Sequence, residues 1–413
     1  MTMVKTLPNL QNIQTLPVPN NEPQFADWTY SMERSVLRQM IAVVAQPGIL
    51  SFAGGLPDPK LFPSANYSQA LSHTLATDPK ALQYMPPSPI LKQHIVDLMA
   101  QRGVTCTPDE IFITTGAQQG LDVLTRMFLN PGGQVLMENI IYTGAQQVTS
   151  PFQPEILTVN TDLNTGMDVD AVADLLAAGH RPAYIYVIPE AHNPLGVSLS
   201  QPKRQQLIHL ARQYQIPIIE DDPYCFLSYD KPAPPPIRSL DDDWVFYLGS
   251  FSKIMAPALR LGWMVAPAHL INKLTVAKEM SDLESSALTQ RAVAHYLSAG
   301  HLAPHLDQVR AAYGQRRDLM LQALTDYFPT SARWTQPHAG MFIWVELPPH
   351  INTKDLLQQS IDQEKVAFIP GYAFAVDKKS GTNCLRLNYS NCDPDLITDG
   401  IARLANVINQ HLT

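Results

Sequence analysis

Short apolar runs rich in β-branched and aromatic residues alternate with helical patterns from about residue 110 onward. The runs are IFITT, QVLME, YIYVIP, IPIIED, VFYLGS and WMVAP. Apolar runs of this length are typical of buried strands, and helices between successive strands are typical of a mostly parallel sheet that is covered by helices. The pattern therefore predicts an α/β fold.

Two of the intervening helical patterns carry end signals. Asp168 precedes VDAVADLLAAG, where Gly179 can take the left-handed conformation after the last turn. Ser200 precedes QPKRQQLIHLARQY, which has Pro202 in its first turn. The run KPAPPPI at 231–237 predicts a loop, because consecutive prolines fit neither a helix interior nor a central strand.

The order of elements changes beyond about residue 300. A long helical pattern over 302–328 leads to GMFIWVEL, a helix, VAFIPG, CLRLNYS and a last helix over 395–411, which predicts a smaller α+β domain. A first helix is predicted over 31–44, before the stop signal Gln46-Pro47-Gly48. The predicted domains are an arm with this first helix that packs with the small domain (1–47), a large domain (48–300) and the small C-terminal α+β domain (301–413).

Composition excludes several classes of protein. The chain has 413 residues, of which 29 are basic and 37 are acidic. Its net charge of −8 does not indicate a basic surface that could bind nucleic acid. No apolar run is long enough for a signal peptide or a membrane span, which predicts a cytoplasmic protein with no membrane partner. The cysteines show neither metal-site nor disulfide spacing, so no metal is predicted: Cys106, Cys225, Cys384 and Cys392.

The segment IFITTGAQQGLDVLTRMFL predicts a strand, a tight turn at Gly116, and a helix with Ala117 and Gln118 in its first turn. Free backbone N–H groups at such a helix start can bind an anion, although any strand-to-helix turn offers the same groups. Two hydroxyls and a guanidinium from LGSFSKIMAPALRLGW would turn the helix start into a phosphate site: Ser250, Ser252 and Arg260.

An amine and a carboxylate complete the candidate chemistry. Lys253 lies among those phosphate-binding residues, which is where an aldehyde cofactor that carries a phosphate would need a nucleophile. The run IIEDDPYCF ends a predicted strand, and open α/β sheets bind ligands at the carboxyl ends of their strands. A buried carboxylate there can keep a pyridine nitrogen protonated, and Tyr224, three residues after Asp221, can hydrogen-bond a ring hydroxyl. A solvated turn before Pro223 is the alternative.

Two more strand ends carry candidate groups. Asn193 in PEAHNPLG supplies an amide donor, although an Asn-Pro turn explains the motif equally. Tyr142 in ENIIYTGA can stack on an aromatic ring, although a tyrosine after a strand is also common in packing.

Taken together and in this order, these residues resemble the fold-type I aminotransferases that use pyridoxal 5′-phosphate. The stretches ILSFAGGLPDPKLFP, GMFIWVELP and CLRLNYS look like the subgroup that contains 2-aminoadipate, kynurenine and aromatic amino acid aminotransferases. The resemblance runs from about Arg34 to the C-terminus. It implies a large domain with a mostly parallel seven-stranded sheet flanked by helices, a smaller α+β domain, and amino transfer between an L-amino acid and a 2-oxo acid.

The resemblance also implies a role for each residue. Lys253 would form the Schiff base with the cofactor and shuttle a proton, Asp221 would hold the pyridine nitrogen, and Tyr142 would cover the ring face. Asn193 and Tyr224 would hold the ring oxygen. The phosphate would be bound by Gly116, Ala117, Gln118, Ser250, Ser252 and Arg260, and by Tyr84 from the neighbouring subunit, which implies a homodimer with shared sites.

Substrate recognition follows from the same resemblance. Arg386 would clamp the α-carboxylate, next to Asn193 and Gly55. Arg38 is the candidate for an acidic side chain, with a surface cation on the first helix as its alternative. Selectivity would come from Arg38, 52–56, 84–89 and Tyr142, so aromatic, branched and 2-aminoadipate-like side chains all remain open.

Several features depart from the resembled pattern or leave alternatives. Ala117 and Leu195 replace residues that usually carry hydroxyls, and YMPPSPILKQHI lacks the usual glycine after Tyr84. A decarboxylase, eliminase or oxidase on the same scaffold would need the same residues, and a 2-oxo acid requirement separates these from an aminotransferase. A non-catalytic effector domain is the other alternative, disfavoured by the short leader and the lack of a basic patch.

Overall fold

A computed structural model describes residues 25, 26, 28, 29 and 48–412. The predicted first helix over 31–44 and Arg38 lie outside the described residues. No helix within the described ranges is long and apolar enough to cross a membrane.

The strands and helices of residues 48–412 are numbered here in chain order. The strands are β1 (Leu50–Ser51), β2 (Ile111–Thr114), β3 (Gln134–Glu138), β4 (Glu155–Val159), β5 (Thr161–Asp162), β6 (Gly166–Met167), β7 (Ile185–Val187), β8 (Ile218–Asp221), β9 (Val245–Ser250), β10 (Gly262–Val265), β11 (Arg333–Trp334), β12 (Phe342–Glu346), β13 (Val366–Ala367), β14 (Ile369–Pro370) and β15 (Cys384–Asn388). The α-helices are α1 (Ser64–Thr77), α2 (Pro89–Gln101), α3 (Ala117–Phe128), α4 (Thr143–Thr149), α5 (Val169–Ala177), α6 (Gln201–Tyr214), α7 (Ile271–Glu279), α8 (Ala287–Ser298), α9 (Leu302–Tyr327), α10 (Thr353–Gln359) and α11 (Pro394–Asn409).

A seven-stranded sheet in the order β2-β10-β9-β8-β7-β3-β4 forms the centre of the large domain. Strands β4, β3, β7, β8 and β9 pair in parallel, whereas β10 is antiparallel to both β9 and β2. The prediction of a mostly parallel seven-stranded sheet is therefore confirmed, and β4 is the strand that the six apolar runs did not include. Because β10 runs backwards, its amino-terminal end lies at the edge where the parallel strands have their carboxyl ends.

Both faces of this sheet are covered by helices. On one face, Ile219 of β8 and Phe246 of β9 pack with residues of α3 and α7; on the other, Ile218 and Val245 pack with residues of α5 and α6. The faces alternate along each strand. Consecutive residues of β8 therefore serve opposite sides of the sheet, which decides the roles of the acidic residues at its end.

The smaller α+β region contains a four-stranded sheet in the order β11-β12-β15-β14, whose pairs are antiparallel. Its core includes residues of α11 and of the 26-residue helix α9. Leu302 and Leu306, in the first turns of α9, pack in a core of the large domain, whereas Val309 and Met320 pack in the core of the small region. One helix thus serves both cores, and the division at residue 300 stays a prediction.

The local end signals have mixed outcomes. Asp168 caps α5 by accepting a hydrogen bond from the backbone N of Ala171 at 3.0 Å, and Gly179 has a φ of 101°. Pro202 lies in the first turn of α6 as predicted, but the side chain of Ser200 makes no cap hydrogen bond. Residues 231–236 of the predicted loop over 231–237 form neither helix nor strand, whereas its last residue begins a short 3-10 helix, Ile237–Leu240.

A glycine at the β9–β10 junction lets a tryptophan pack against the backbone. Gly249 pairs with Trp263, whose ring occupies the space where a Cβ at residue 249 would lie, at 2.2 Å. Trp263 is buried and packs on Phe251 at a centroid distance of 5.0 Å. This contact aligns β9, which ends at Ser250, with β10, which follows the loop that carries Lys253.

We expect Gly249→Ala to lower the free energy of unfolding by about 1–3 kcal/mol, because a methyl group there forces Trp263 out of its packed position. Gly314→Ala in α9 is the matched control: the nearest atom to its Cβ would be 3.6 Å away, so helix propensity should stabilise the protein by about 0.5–1 kcal/mol. Urea unfolding of both variants is the measurement. Equal effects of the two substitutions would contradict the packing described here.

Candidate active site

A cavity of about 380 Å³ opens at the edge of the central sheet where the parallel strands end. Loops after β3, β7, β8 and β9 reach it, together with the start of α3, residues 53–56 and β15 of the small region. Most of the residues predicted from sequence line it: Gly55, Ala117, Gln118, Tyr142, Asn193, Asp221, Tyr224, Ser250, Ser252, Lys253, Arg260 and Arg386.

Lys253 presents a weakly held amine in this cavity. Its Nζ donates one hydrogen bond, to the carbonyl oxygen of Gly55 at 2.9 Å. Burial, reinforced by the charges of Arg386 and Arg260, lowers the pKa of Lys253 to about 8. A neutral, nucleophilic amine is therefore much more accessible near neutral pH than in a solvated lysine.

Asp221 ends β8 on the cavity side. Its Oδ2 accepts a hydrogen bond from the hydroxyl of Tyr186 at 2.7 Å, while its buried Oδ1 has no hydrogen-bond partner among the described residues. Burial raises the pKa of Asp221 to about 6, against the lowering effect of the Tyr186 hydrogen bond. A buried carboxylate oxygen without a donor is available to a protonated ligand atom.

Asp222 has different neighbours. Its Oδ2 lies 3.8 Å from Nη2 of Arg102 and accepts a hydrogen bond from the hydroxyl of Tyr247 at 3.3 Å. Asp222 is fully buried but does not line the cavity. Glu220, on the other face of β8, accepts hydrogen bonds from the backbone N atoms of Ile237 and Arg238. Of the three consecutive acids, only Asp221 is placed to meet a ligand in this cavity.

Arg386 of β15 packs against two aromatic rings. Its guanidinium carbon lies 4.2 Å from the ring centroid of Phe342 and 4.8 Å from that of Phe374. Nη1 donates to Oδ1 of Asn193 at 2.9 Å and Nη2 to the carbonyl oxygen of Ala53 at 2.8 Å, but no carboxylate of the described residues pairs with it. Burial lowers the pKa of Arg386 to about 10, so it remains charged at neutral pH.

The start of α3 and the loop before β10 meet at the other end of the cavity. Gly116 has a φ of 84°, and a Cβ there would come within 2.7 Å of Nη2 of Arg260. The backbone N of Ser252 donates to Oγ of Ser250 at 3.1 Å. The first N–H groups of α3 have no partner within the helix, so this end combines amides, hydroxyls and a guanidinium around one point.

Polar contacts also order the middle of the cavity. The hydroxyl of Tyr142 donates to Oε1 of Gln118 at 3.1 Å, and Nε2 of Gln118 donates to the carbonyl oxygen of Gly144 at 3.1 Å. Burial raises the pKa of Tyr142 to about 12. Tyr224 is buried against the edge of Phe342 at a centroid distance of 5.9 Å.

Two of the described residues that were predicted for the site, Gly116 and Tyr84, are not among the residues that line this cavity. Tyr84 does not line it and is 74% exposed on the surface. Arg38 lies outside the described residues. The sequence reasoning also missed three residues that shape the site, namely Tyr186, Phe342 and Phe374. Each lies in an apolar run, which predicts a residue of the hydrophobic core. For Tyr186 alone a signal was present, because the alternation of faces along YIYVIP places it on the same side of the strand as the cavity.

The donor set fits a phosphorylated pyridine aldehyde. The amine of Lys253 suits an aldehyde, and Oδ1 of Asp221, which has no partner among the described residues, suits a protonated ring nitrogen. The start of α3 and Arg260 suit a phosphate, because the guanidinium lies beside Gly116, directly before the first turn of the helix. Together, the sheet and this site define a fold-type I enzyme that uses pyridoxal 5′-phosphate.

Comparison with known proteins gives the same class. The family "Aminotransferase class I and II" matches residues 54–404. Aromatic-amino-acid aminotransferase 1 of Thermococcus litoralis is 34% identical over 405 residues, which cover 96% of each chain. The 2-aminoadipate transaminase of Thermus thermophilus is 35% identical over 384 residues, 91% of this chain and 94% of the relative. The crystal structure of Pyrococcus horikoshii kynurenine aminotransferase in complex with PMP superposes with a TM-score of 0.89 at 36% identity, over 94% of this chain and 98% of that one.

The chain belongs to the class I and II aminotransferases. It is a transaminase that depends on pyridoxal 5′-phosphate.

The two acids at the end of β8 should respond differently to substitution. Asp221→Asn should weaken cofactor binding and slow turnover by at least about tenfold, because a charge-assisted hydrogen bond contributes roughly 1.5–3 kcal/mol. Asp222→Asn should mainly lower the unfolding midpoint, because it weakens a buried contact with Arg102. Steady-state kinetics and thermal unfolding of both variants test this. A larger catalytic loss in Asp222→Asn would contradict the assignment.

The amine of Lys253 should capture the cofactor with a pH midpoint near its lowered pKa of about 8. The neutral amine is the nucleophile, so capture should increase as pH rises through this value instead of near the usual 10.5. Cofactor-free protein is mixed briefly with pyridoxal 5′-phosphate at each pH, reduced with borohydride and mapped by peptide analysis. A pyridoxyl group on another lysine, or a midpoint near 10.5, would contradict this prediction.

Proposed function

We propose that this aminotransferase moves the amino group of an L-amino acid with an aromatic, branched or 2-aminoadipate-like side chain to a 2-oxo acid. The relatives' names support this choice, since they include an aromatic-amino-acid aminotransferase, a 2-aminoadipate transaminase and a kynurenine aminotransferase. The walls of the cavity support it as well, because they are largely apolar.

The observation that carries the proposal is the guanidinium of Arg386, which has no carboxylate partner among the described residues and lies in the same cavity as the amine of Lys253. A guanidinium has five N–H donors, and the hydrogen bonds to Asn193 and Ala53 use two of them. Its Nε has no partner among the described residues. A substrate α-carboxylate would restore the charge pairing that burial removes, and the planar fork would fix its orientation.

When bound, pyridoxal 5′-phosphate supplies an aldehyde for the substrate amine and a ring that takes up electrons from the α-carbon. Asp221 would accept a hydrogen bond from the ring nitrogen and keep it protonated. Asn193 and Tyr224 would orient the ring oxygen, and Tyr142 would cover the ring. The amine of Lys253, with its lowered pKa, would accept a proton from one carbon and return it to another.

The phosphate would bind where α3 begins. The N–H groups of Ala117 and Gln118 are the free donors of the first turn, and Arg260 supplies the charge. Ser250 and Ser252 supply hydroxyls. Ala117 itself offers no hydroxyl, so the backbone and Arg260 would carry more of the phosphate binding.

The substrate side chain would lie against apolar groups. Leu56, Phe342 and Ile369 belong to the cavity lining. The cations of the described lining are Lys253, Arg260 and Arg386, and each already has a role in the proposed mechanism. Aromatic and branched side chains therefore fit the described residues best, and Arg38 stays the predicted partner for an acidic side chain.

We also propose a homodimer in which Tyr84 reaches the phosphate of the neighbouring subunit. Its segment exposes apolar side chains, since Leu82 is 80% and Ile90 62% exposed. Hydrogen bonds from the backbone N of Met85 to Glu284 and of Ser88 to Gln290 tie this segment to the start of α8. Exposed apolar groups concentrated in one place favour burial against a partner. The cytoplasmic location stays a prediction.

A panel of amino acids tests the proposed substrate class. Each is added to the holoenzyme without a 2-oxo acid, and the loss of the visible absorbance of the bound aldehyde form is followed. Phenylalanine and leucine should react faster than aspartate or lysine, because the described walls are apolar, and a 2-oxo acid should restore the absorbance. Product release that proceeds repeatedly without a 2-oxo acid would indicate decarboxylation or elimination instead.

Arg386→Ala should lower kcat/KM for every amino acid of the panel by an amount equivalent to about 2–5 kcal/mol, since it removes one partner of a buried charge pair. Borohydride labelling of Lys253 should persist. Arg386→Lys, which keeps the charge but lacks the planar fork, is the matched variant and should retain part of the activity. An amino acid that reacts normally with Arg386→Ala would exclude Arg386 as the α-carboxylate clamp.

A further inference from the structure

Tyr186 contacts Asp221 from the neighbouring strand. In the pairing of β7 with β8, Tyr186 lies opposite Ile219, and Asp221 lies two residues farther along on the same face. Both residues therefore lie on one face of adjacent strands, where a long aromatic side chain can reach a residue two positions farther along the neighbouring strand. The hydroxyl of Tyr186 reaches Oδ2 of Asp221 at 2.7 Å.

The direction of this hydrogen bond is defined by chemistry. Burial, and then the charge of Asp221, raises the pKa of Tyr186, so the phenol keeps its proton. An ionised carboxylate can only accept hydrogen bonds. Tyr186 is therefore the donor, and it favours the charged form of Asp221.

The contact also determines which oxygen remains available. The terminal torsion of an aspartate has a broad preference, so the carboxylate plane depends on its partners. Among the described residues, Tyr186 is the hydrogen-bond partner of Oδ2, and Oδ1 has none. Asp221 lines the cavity, so Oδ1 is the oxygen left for a ligand.

We propose that Tyr186 is a positioning residue: its hydroxyl orients the carboxylate of Asp221 and holds it ionised, so that Oδ1 pairs with the protonated ring nitrogen of the cofactor. The inference rests on the proposed role of Asp221. It goes beyond that role because it assigns the charge and orientation of the carboxylate to a residue that does not line the cavity.

The electrostatic surroundings make this donor important. Burial raises the pKa of Asp221, and the nearby carboxylate of Asp222 raises it further. Tyr142 and Tyr224, the other titratable groups near this pair, are neutral phenols with raised pKa values and add no positive charge. Of the groups that shift Asp221, Tyr186 is the one that lowers its pKa. Loss of its hydroxyl therefore raises that pKa from about 6 toward neutrality, and the protonated acid cannot pair with a cation.

The same strand supplies a matched control. Tyr184 lies two residues earlier on the same face of the sheet, is equally buried, and forms a hydrogen bond to Oγ1 of Thr125 at 3.1 Å. Tyr184→Phe and Tyr186→Phe each remove one buried hydroxyl and keep the ring. They differ in whether the lost partner is Asp221.

The experiment compares two ligands on cofactor-free, full-length protein. Pyridoxamine 5′-phosphate and its 1-deaza analogue, in which a C–H group replaces the ring nitrogen, are titrated by calorimetry at pH 7.5. Neither ligand carries an aldehyde, so Lys253 cannot form a covalent bond with either ligand. The ratio of the two dissociation constants measures the contribution of the ring nitrogen alone. It is determined for the unsubstituted protein, Tyr186→Phe, Tyr184→Phe and Asp221→Asn.

We expect the unsubstituted protein and Tyr184→Phe to share the same preference for the pyridine ligand. Tyr186→Phe should reduce this preference by about tenfold, since Asp221 loses the hydrogen bond that orients its carboxylate and favours the charged form. The reduction should grow as pH falls from 8 toward 6, because the raised pKa of Asp221 in Tyr186→Phe leaves a smaller fraction of Asp221 ionised at the lower pH. Asp221→Asn should abolish most of the preference.

Other results would overturn the inference. If Tyr186→Phe weakens both ligands equally, or neither, Tyr186 acts only in packing and does not position Asp221. If Asp221→Asn keeps the preference, the proposed role of Asp221 fails, and the inference fails with it. Thermal unfolding of the cofactor-free variants checks that both phenylalanine variants are folded to the same extent.

Discussion

The cavity keeps three charged groups in a poorly hydrated space without an oppositely charged partner among the described residues: Asp221, Lys253 and Arg386. Burial of an unpaired charge is unfavourable, and each group responds by a shift of its pKa toward the neutral form. Separation within the cavity prevents the groups from neutralising one another. A cofactor with a cationic ring nitrogen and an aldehyde would meet Asp221 and Lys253, and the carboxylate of an amino acid substrate would meet Arg386. Cofactor binding and substrate binding would then both draw on the same electrostatic imbalance.

This separation depends on the topology of the sheet. Parallel strands bring Asp221, Asn193 and Tyr142 to one edge, and the antiparallel β10 brings the loop with Lys253 and Arg260 to the same edge. The small region contributes Arg386 from a different sheet, and a hydrogen bond from Arg386 to Asn193 joins it to the large domain. No single segment holds the complete set. Correct chemistry therefore requires both sheets to be formed and aligned.

Much of this was predictable because the polar residues follow the apolar runs at strand ends. The positions of Asp221, Asn193 and Lys253 in the cavity follow from the general rule that open α/β sheets bind ligands at the carboxyl ends of their strands. Apolar patterning could not show whether Asp221 or Asp222 faces the cavity, and only the family resemblance singled out Asp221. The pattern also could not show that β10 is antiparallel to its neighbours. It also concealed Tyr186, Phe342 and Phe374, whose contacts depend on neighbours far away in the chain. In an apolar run, a residue that positions a charge looks the same as one that only fills space.

Helix α9 has a consequence for the independence of the two regions. Its first turns are packed in one core and its remaining turns in another. We therefore expect that neither region folds autonomously when the chain is divided at residue 300. A fragment that begins at residue 301 would expose Leu302 and Leu306 to water, and the complementary fragment would lose the side chains that cover its own core. Complementation of two separately expressed fragments would then require a cut in a surface loop elsewhere, such as the proline-rich loop over 231–236, which leaves α9 intact.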